Sequence, residues 1–123
     1  MAQNESASGA AEIVALEWQG VLSRDAGIID PQVPRSAYAH SELRQLYPAV
    51  SHGTLYLSRC TRFPYSRDVP TVFRLVAGGY TVIRLSDGAE LGETATLDEA
   101  FTLVVENLPP GTGPAIDGTA DDL

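Results

Sequence analysis

The sequence has no lysine, one cysteine and two histidines. A single cysteine, Cys60, rules out an internal disulfide framework, and with only two histidines beside it no Cys/His structural zinc site can be completed. A reducing compartment fits such a chain best. The missing lysines leave eight arginines as the whole basic complement, which reads as the codon usage of a GC-rich genome. Sixteen acidic residues oppose them, and the net charge of −8 repels nucleic acid and anionic membrane over most of the surface, so neither is expected as a partner. No segment approaches the roughly eighteen apolar residues of a membrane span, and residues 1–10 lack a basic stretch followed by an apolar run. The cytoplasm is therefore the simplest location. There is no Walker-type GxxxxGK loop, no GxGxxG behind a strand and no HExxH, so neither a cofactor nor a metal is expected.

What is present is enough for one folded domain. A chain of 123 residues buries roughly 65% of its unfolded surface, and 44% hydrophobic residues with five Tyr, three Phe and one Trp give it core material. Charge is unevenly spread. Between positions 43 and 86 lie six arginines (Arg44, Arg59, Arg62, Arg67, Arg74 and Arg84) against one acid, Asp68, a local charge of +5 that leaves −13 for the remainder.

Residues 1–10 and 109–123 are small, polar and rich in Gly, Pro, Thr or Asp, and both are expected to be flexible tails around a domain at 11–108. Within it, Val14, Trp18, Val21 and Leu22 recur at helical spacing, with Ile13 and Leu16 widening the face, so a helix is predicted over 11–23. Asp30-Pro31 suits a helix start, and a second helix, broken into two pieces with Ser41 capping the later one, is predicted over 35–47 and ended by Pro48. Alternation then predicts strands over 54–60, 71–76, 80–85 and 89–92. A three-residue loop at 77–79 gathers Phe73, Leu75, Ile83 and Leu85 on one face and leaves Arg74, Arg84, Tyr80 and two valines on the other. Thr96-Leu97-Asp98-Glu99 has the form of a capping box and opens a last helix with the stripe Leu97, Ala100, Phe101, Val104, Val105 and Leu108. The expected fold is α+β: two N-terminal helices, a four-stranded antiparallel meander, and a C-terminal helix on the apolar sheet face.

The densest set of reactive groups lies at 51–65. His52, between a helix end and a strand, is the candidate acid–base group, since an imidazole exchanges protons near neutral pH; its plainer role is to satisfy loop backbone or sit in solvent. Tyr65 is the second catalytic candidate, with Phe63 beside it, although loop aromatics commonly only pack. Arg59, in phase with Leu55 and Leu57, is a candidate anchor for a ligand carboxylate or phosphate, or else the partner of a structural acid from a helix. Tyr56, Arg62 and Trp18 complete the candidate substrate-binding set. Cys60 is too far along a straight strand from His52 to act as its nucleophile. If the chain is an enzyme, these residues point to cofactor-free proton transfer such as cyclisation, elimination or isomerisation.

The runs Ala37-Tyr38-Ala39-His40, Leu43-Arg44-Gln45-Leu46-Tyr47-Pro48 and Ser51-His52-Gly53-Thr54-Leu55, with Asp87-Gly88, Leu91-Gly92-Glu93 and Asn107-Leu108-Pro109 later in the chain, resemble a family of small actinobacterial proteins of unknown function labelled "natural product biosynthesis protein". The resemblance covers roughly residues 11–109 and implies an accessory or tailoring role in secondary metabolism, without a reaction or catalytic residues. Three functions are expected: a protein that binds a small-molecule or peptide intermediate beside His52, Arg59 and Tyr65; a non-catalytic module whose Arg74, Arg84, Tyr56 and Tyr80 face docks a peptide, a carrier protein or a partner biosynthetic enzyme with acidic residues; and a small inhibitory protein. An exposed sheet edge would also allow a homodimer.

Overall fold

The computed structural model describes residues 2–123, with side chains from Gly9 onward. The backbone of residues 2–10, expected as part of a flexible N-terminal tail, is helical instead. Helix α1 runs Ala2–Leu22. Its buried face is Val14, Trp18 and Val21, one residue per turn, while Ile13 and Leu16, expected to widen that face, point to solvent. The Trp18 indole Nε1 donates to the Leu46 carbonyl at 2.9 Å, which satisfies the one polar atom of a side chain only 1% exposed.

The second helix does fall into two pieces, α2 (Gln32–Tyr38) and α3 (Ser41–Arg44). Asp30 Oδ1 accepts the Gln32 amide at 3.0 Å, as a residue at a helix start should. Ser41 does not cap α3; it is the first helical residue, and His40 occupies the cap position without a side-chain bond. Pro48 does not end a helix either. It lies inside a strand, β1 (Tyr47–Ser51), which pairs antiparallel with β2 (Thr54–Ser58) from Tyr47↔Ser58 to Ser51↔Thr54. His52 and Gly53 form the turn, with φ of 52° and 75°; two positive φ values in a two-residue loop define the I′ geometry whose twist suits a hairpin. Histidine is among the few non-glycine residues that accept this region.

A second sheet holds β3 (Thr71–Arg74), β4 (Tyr80–Arg84) and β5 (Ala89–Thr94) in sequence order. The architecture is thus α+β with antiparallel sheets of two and three strands, and not a four-stranded meander. β2 was expected to join β3, but β1 lies two residues before it and closes the nearer ladder, whereas twelve residues separate β2 from β3. The β3–β4 hairpin pairs Arg74 with Tyr80, and the Leu75 amide donates to the Gly79 carbonyl at 2.9 Å, so its three-residue loop is 76–78. This register lies two residues from the expected one. A slip of two preserves which side chains share a face. It is the buried face that differs: Val72 and Val82 enter the core with Ala100, Phe101 and Val104 of α4 (Leu97–Glu106), while Phe73, Ile83 and Leu85 are half-buried on the other side. Gly79 sits at φ 80°, and a Cβ there would meet the Thr94 carbonyl oxygen at 2.7 Å, so only glycine fits this hairpin end.

The capping box of α4 is formed as read: Thr96 Oγ1 accepts the Glu99 amide at 3.2 Å, and Glu99 Oε1 accepts the Thr96 amide at 3.1 Å. Residues beyond 114 do not leave the domain as a tail. The Ala115 amide donates to the Gln45 carbonyl, Ile116 exchanges bonds with Arg59 and Thr61, the Arg62 amide reaches Gly118, and the Ala120 amide reaches Pro64, all at 2.8–3.1 Å. Few apolar residues were needed, because the segment is held mainly by its backbone groups. Among the described residues no helix is long and apolar enough to cross a membrane.

Candidate functional site

Two hollows flank the seam where β2 approaches β3. The first, about 610 Å³, is walled by the loop before α2, by the His52-Gly53 turn and by the ends of β3 and β4. Its apolar floor includes Leu55, Val72 and Leu97, and its polar groups are Asp30, His52, Thr54, Arg74 and Tyr80. Arg74 Nη2 donates to Asp30 Oδ2 at 2.6 Å, so one wall carries a positive and a negative group side by side. The Gln32 amide holds the Asp30 carboxyl below its ordinary range; partial burial opposes this and Arg74 reinforces it. His52 Nδ1 lies 3.0 Å from Ser51 Oγ, which leaves Nε2 for other partners. Among the described residues the Thr54 and Tyr80 hydroxyls make no hydrogen bond to protein. A hollow of this size with an apolar floor and a few convergent polar groups matches the form of a small-molecule site.

The second hollow, about 580 Å³, lies on the opposite side of Phe73, which lines both. Its walls are Tyr56, Phe63, Tyr65, Thr71 and Leu85, with Arg67 as the single charged side chain. Tyr65 stacks on Tyr47 with ring centres 5.7 Å apart, and Phe63 meets Tyr65 edge-on at 5.9 Å. Burial and then the charge of Glu17 push the Tyr47 phenol above its ordinary value, so it stays neutral.

The residues singled out from sequence do not converge. His52 lines the first hollow and Tyr65 the second, so they are not one catalytic pair. Arg59 is engaged by Asp68 through two bonds, one of them Nε to Oδ1 at 3.2 Å; the acid comes from the β2–β3 connection and not from a helix. Burial raises the Asp68 carboxyl, but the Arg59 bonds and charge outweigh it and hold the group below its ordinary range. Arg62 is held by Asp117 through Nε and Nη2, both at 3.2 Å, and Asp117 also accepts from Thr61. Trp18 is core, edge-on to Tyr38 at 5.2 Å. Tyr56 lines the second hollow.

The expected Arg/Tyr face is also dispersed. Tyr56 belongs to the two-stranded sheet, Arg74 pairs with Asp30, and Arg84 pairs with Asp87 at 2.8 Å across its own turn. Arg74 sits opposite Tyr80, four residues along β4 from Arg84, a separation of roughly 13 Å. Asp30, Thr54 and Arg67 were not singled out from sequence. Asp30 was visible only as a helix-start residue, and nothing local to Thr54 or Arg67 marks either as facing a cavity.

No group of three or more His, Cys, Asp or Glu side chains is placed to hold a metal ion among the described residues. Neither the curated proteins nor the solved structures compared with this chain give a match. One family model does match, over residues 12–119, which takes in both hollows and the returning C-terminal segment as far as Thr119. The chain therefore belongs to the family of unknown function DUF6193.

Proposed function

We propose that the protein is an accessory or tailoring protein of natural-product biosynthesis in the actinobacterial cytoplasm, and that it holds a pathway intermediate in the hollow beside His52. The gene-cluster setting rests on the sequence resemblance. The binding part rests on one observation: the hollow of about 610 Å³ presents the His52 ring and the Thr54 and Tyr80 hydroxyls above an apolar floor, with the Asp30–Arg74 pair on its wall. Such a wall suits a ligand with an apolar body and both donor and acceptor groups, which take the place of water on the open polar groups. Binding is the primary reading. Proton transfer, if the intermediate needs it, falls to His52, with Tyr80 in place of Tyr65 as the neighbouring hydroxyl.

The test is complementation of a gene deletion in the encoding strain, with pathway product measured by mass spectrometry. Ala26 lines the hollow from an exposed position, so Ala26→Phe narrows it without touching the core. Loss of product with an unchanged circular dichroism spectrum is expected. Full complementation by a folded Ala26→Phe protein would overturn the reading.

A further inference from the structure

Arg67 stands apart from the other arginines of the basic segment. Arg59, Arg62, Arg74 and Arg84 each close an ion pair, with Asp68, Asp117, Asp30 and Asp87. Arg44 donates to the Tyr38 and Ala39 carbonyls and lies over the Tyr38 ring, 4.8 Å from its centre. Among the described residues no carboxylate pairs with Arg67, although the chain has twice as many acids as arginines.

Its carbonyl and its two chain neighbours, by contrast, are anchored. The Arg67 carbonyl accepts the Ser86 amide at 3.0 Å. Before it, Ser66 Oγ accepts the Arg59 amide at 2.8 Å and the Ser66 amide donates to Ser58 Oγ at 3.1 Å; after it, Asp68 is held by Arg59. Arg67 is thus an exposed side chain on an anchored stem. It lines both a neighbouring hollow with Asp68 and Leu123 and the second hollow, whose other walls are mostly aromatic or aliphatic, among them Tyr56, Phe63, Tyr65, Phe73 and Leu85, with Ser66 and Thr71 between them. Phe63 is 81% exposed although Tyr65 lies directly beside it, so its outward face is a ring surface without cover.

We infer that this second hollow is a separate binding site for a small aryl carboxylate, with the ring against Phe63, Tyr65 and Phe73 and the carboxylate on Arg67. The guanidinium fork matches a carboxylate in two parallel bonds, and no acidic side chain lines the hollow to oppose an anion. The first hollow differs in this respect, since Asp30 already occupies its arginine. The two sites share only Phe73 as a wall, so an occupant of one presses on a side chain that shapes the other.

The test is a two-dimensional amide NMR titration of the full chain with 3-phenylpropanoate and, separately, with 3-phenylpropanamide, which keeps the ring and removes the charge. Shifts are expected at Ser66, Arg67, Thr71 and Phe73, with the acid bound about fivefold more tightly than the amide, the size of one exposed charge-assisted contact. Arg67→Gln should bring the acid down to the affinity of the amide and leave the amide unchanged. Equal affinity of acid and amide for the unaltered protein would overturn the proposal. So would shifts centred on Gly27 to Asp30, or no shifts at millimolar concentration.

Discussion

Arg59 and Asp68 clasp each other across the connection between the two sheets, nine residues apart in sequence, with both side chains more than two-thirds buried. The residue that offered the sharpest ligand anchor in the sequence is thereby a brace. It ties the end of β2 to the entry of β3 and fixes the loop that carries Phe63, Tyr65 and Arg67.

Removing either partner should leave a largely buried charge without its counter-ion. Asp68→Asn and Arg59→Gln are each expected to lower stability by about 1–3 kcal/mol, and the double variant by less than the sum. Urea unfolding of the four proteins gives the coupling energy, and a coupling indistinguishable from zero would remove the brace.

Stability should fall on the acid side. Asp30, Asp68 and Asp87 are all held below their ordinary range in the fold, so each favours the folded state at pH values above the unfolded carboxyl pKa of about 3.9. That contribution disappears as pH drops through the lower folded values. The urea midpoint is expected to show no dependence on these groups between pH 5 and 8 and to decline below about pH 4. Asp68→Asn should flatten the decline. Added salt should weaken the Asp30 and Asp87 shares, whose side chains are 39% and 53% exposed, more than that of Asp68. A midpoint that rises between pH 5 and 3 would contradict the assignment.

His52 has two separable duties. As a turn residue with φ 52° it should be replaceable by Asn within about 0.5 kcal/mol, whereas His52→Val should cost about 1–2 kcal/mol because a β-branched side chain resists the left-handed region. Thermal unfolding measures this. If the imidazole serves the ligand as well, His52→Asn will fold normally and fail to restore product in the deletion strain.

Cys60 is fully buried beneath the returning segment, and its position forms a bridge with Ile116. In the full chain the thiol should react with an aromatic disulfide reagent only as fast as the protein opens. Deleting residues 115–123 should make it reactive under native conditions and lower the melting temperature. An equally protected thiol after deletion would mean that the segment does not cover it.

What the sequence determined by itself was everything set by near neighbours. The 3.6-residue recurrence of Val14, Trp18 and Val21 and the reciprocal Thr96 and Glu99 bonds fixed the part of α1 from residue 11 onward and α4, because the groups concerned lie within a turn or two of each other. The two-residue alternation likewise placed β2, β3, β4 and β5 near their observed positions. The tertiary structure decided whatever depended on a distant partner. Pro48 reads as a helix stop until Leu57 is opposite it in a ladder, and residues 109–123 read as a tail until their amides find Gln45, Arg59 and Pro64. Alternation divides Val72 and Val82 from Phe73 and Ile83 without saying which pair α4 will cover. The arginines show the same limit most clearly. Arg62 and Asp117 are 55 residues apart, and Arg74 and Asp30 are 44 apart. A guanidinium announces its charge in the sequence, but only the fold chooses which ones are neutralised and leaves Arg67 facing a cleft.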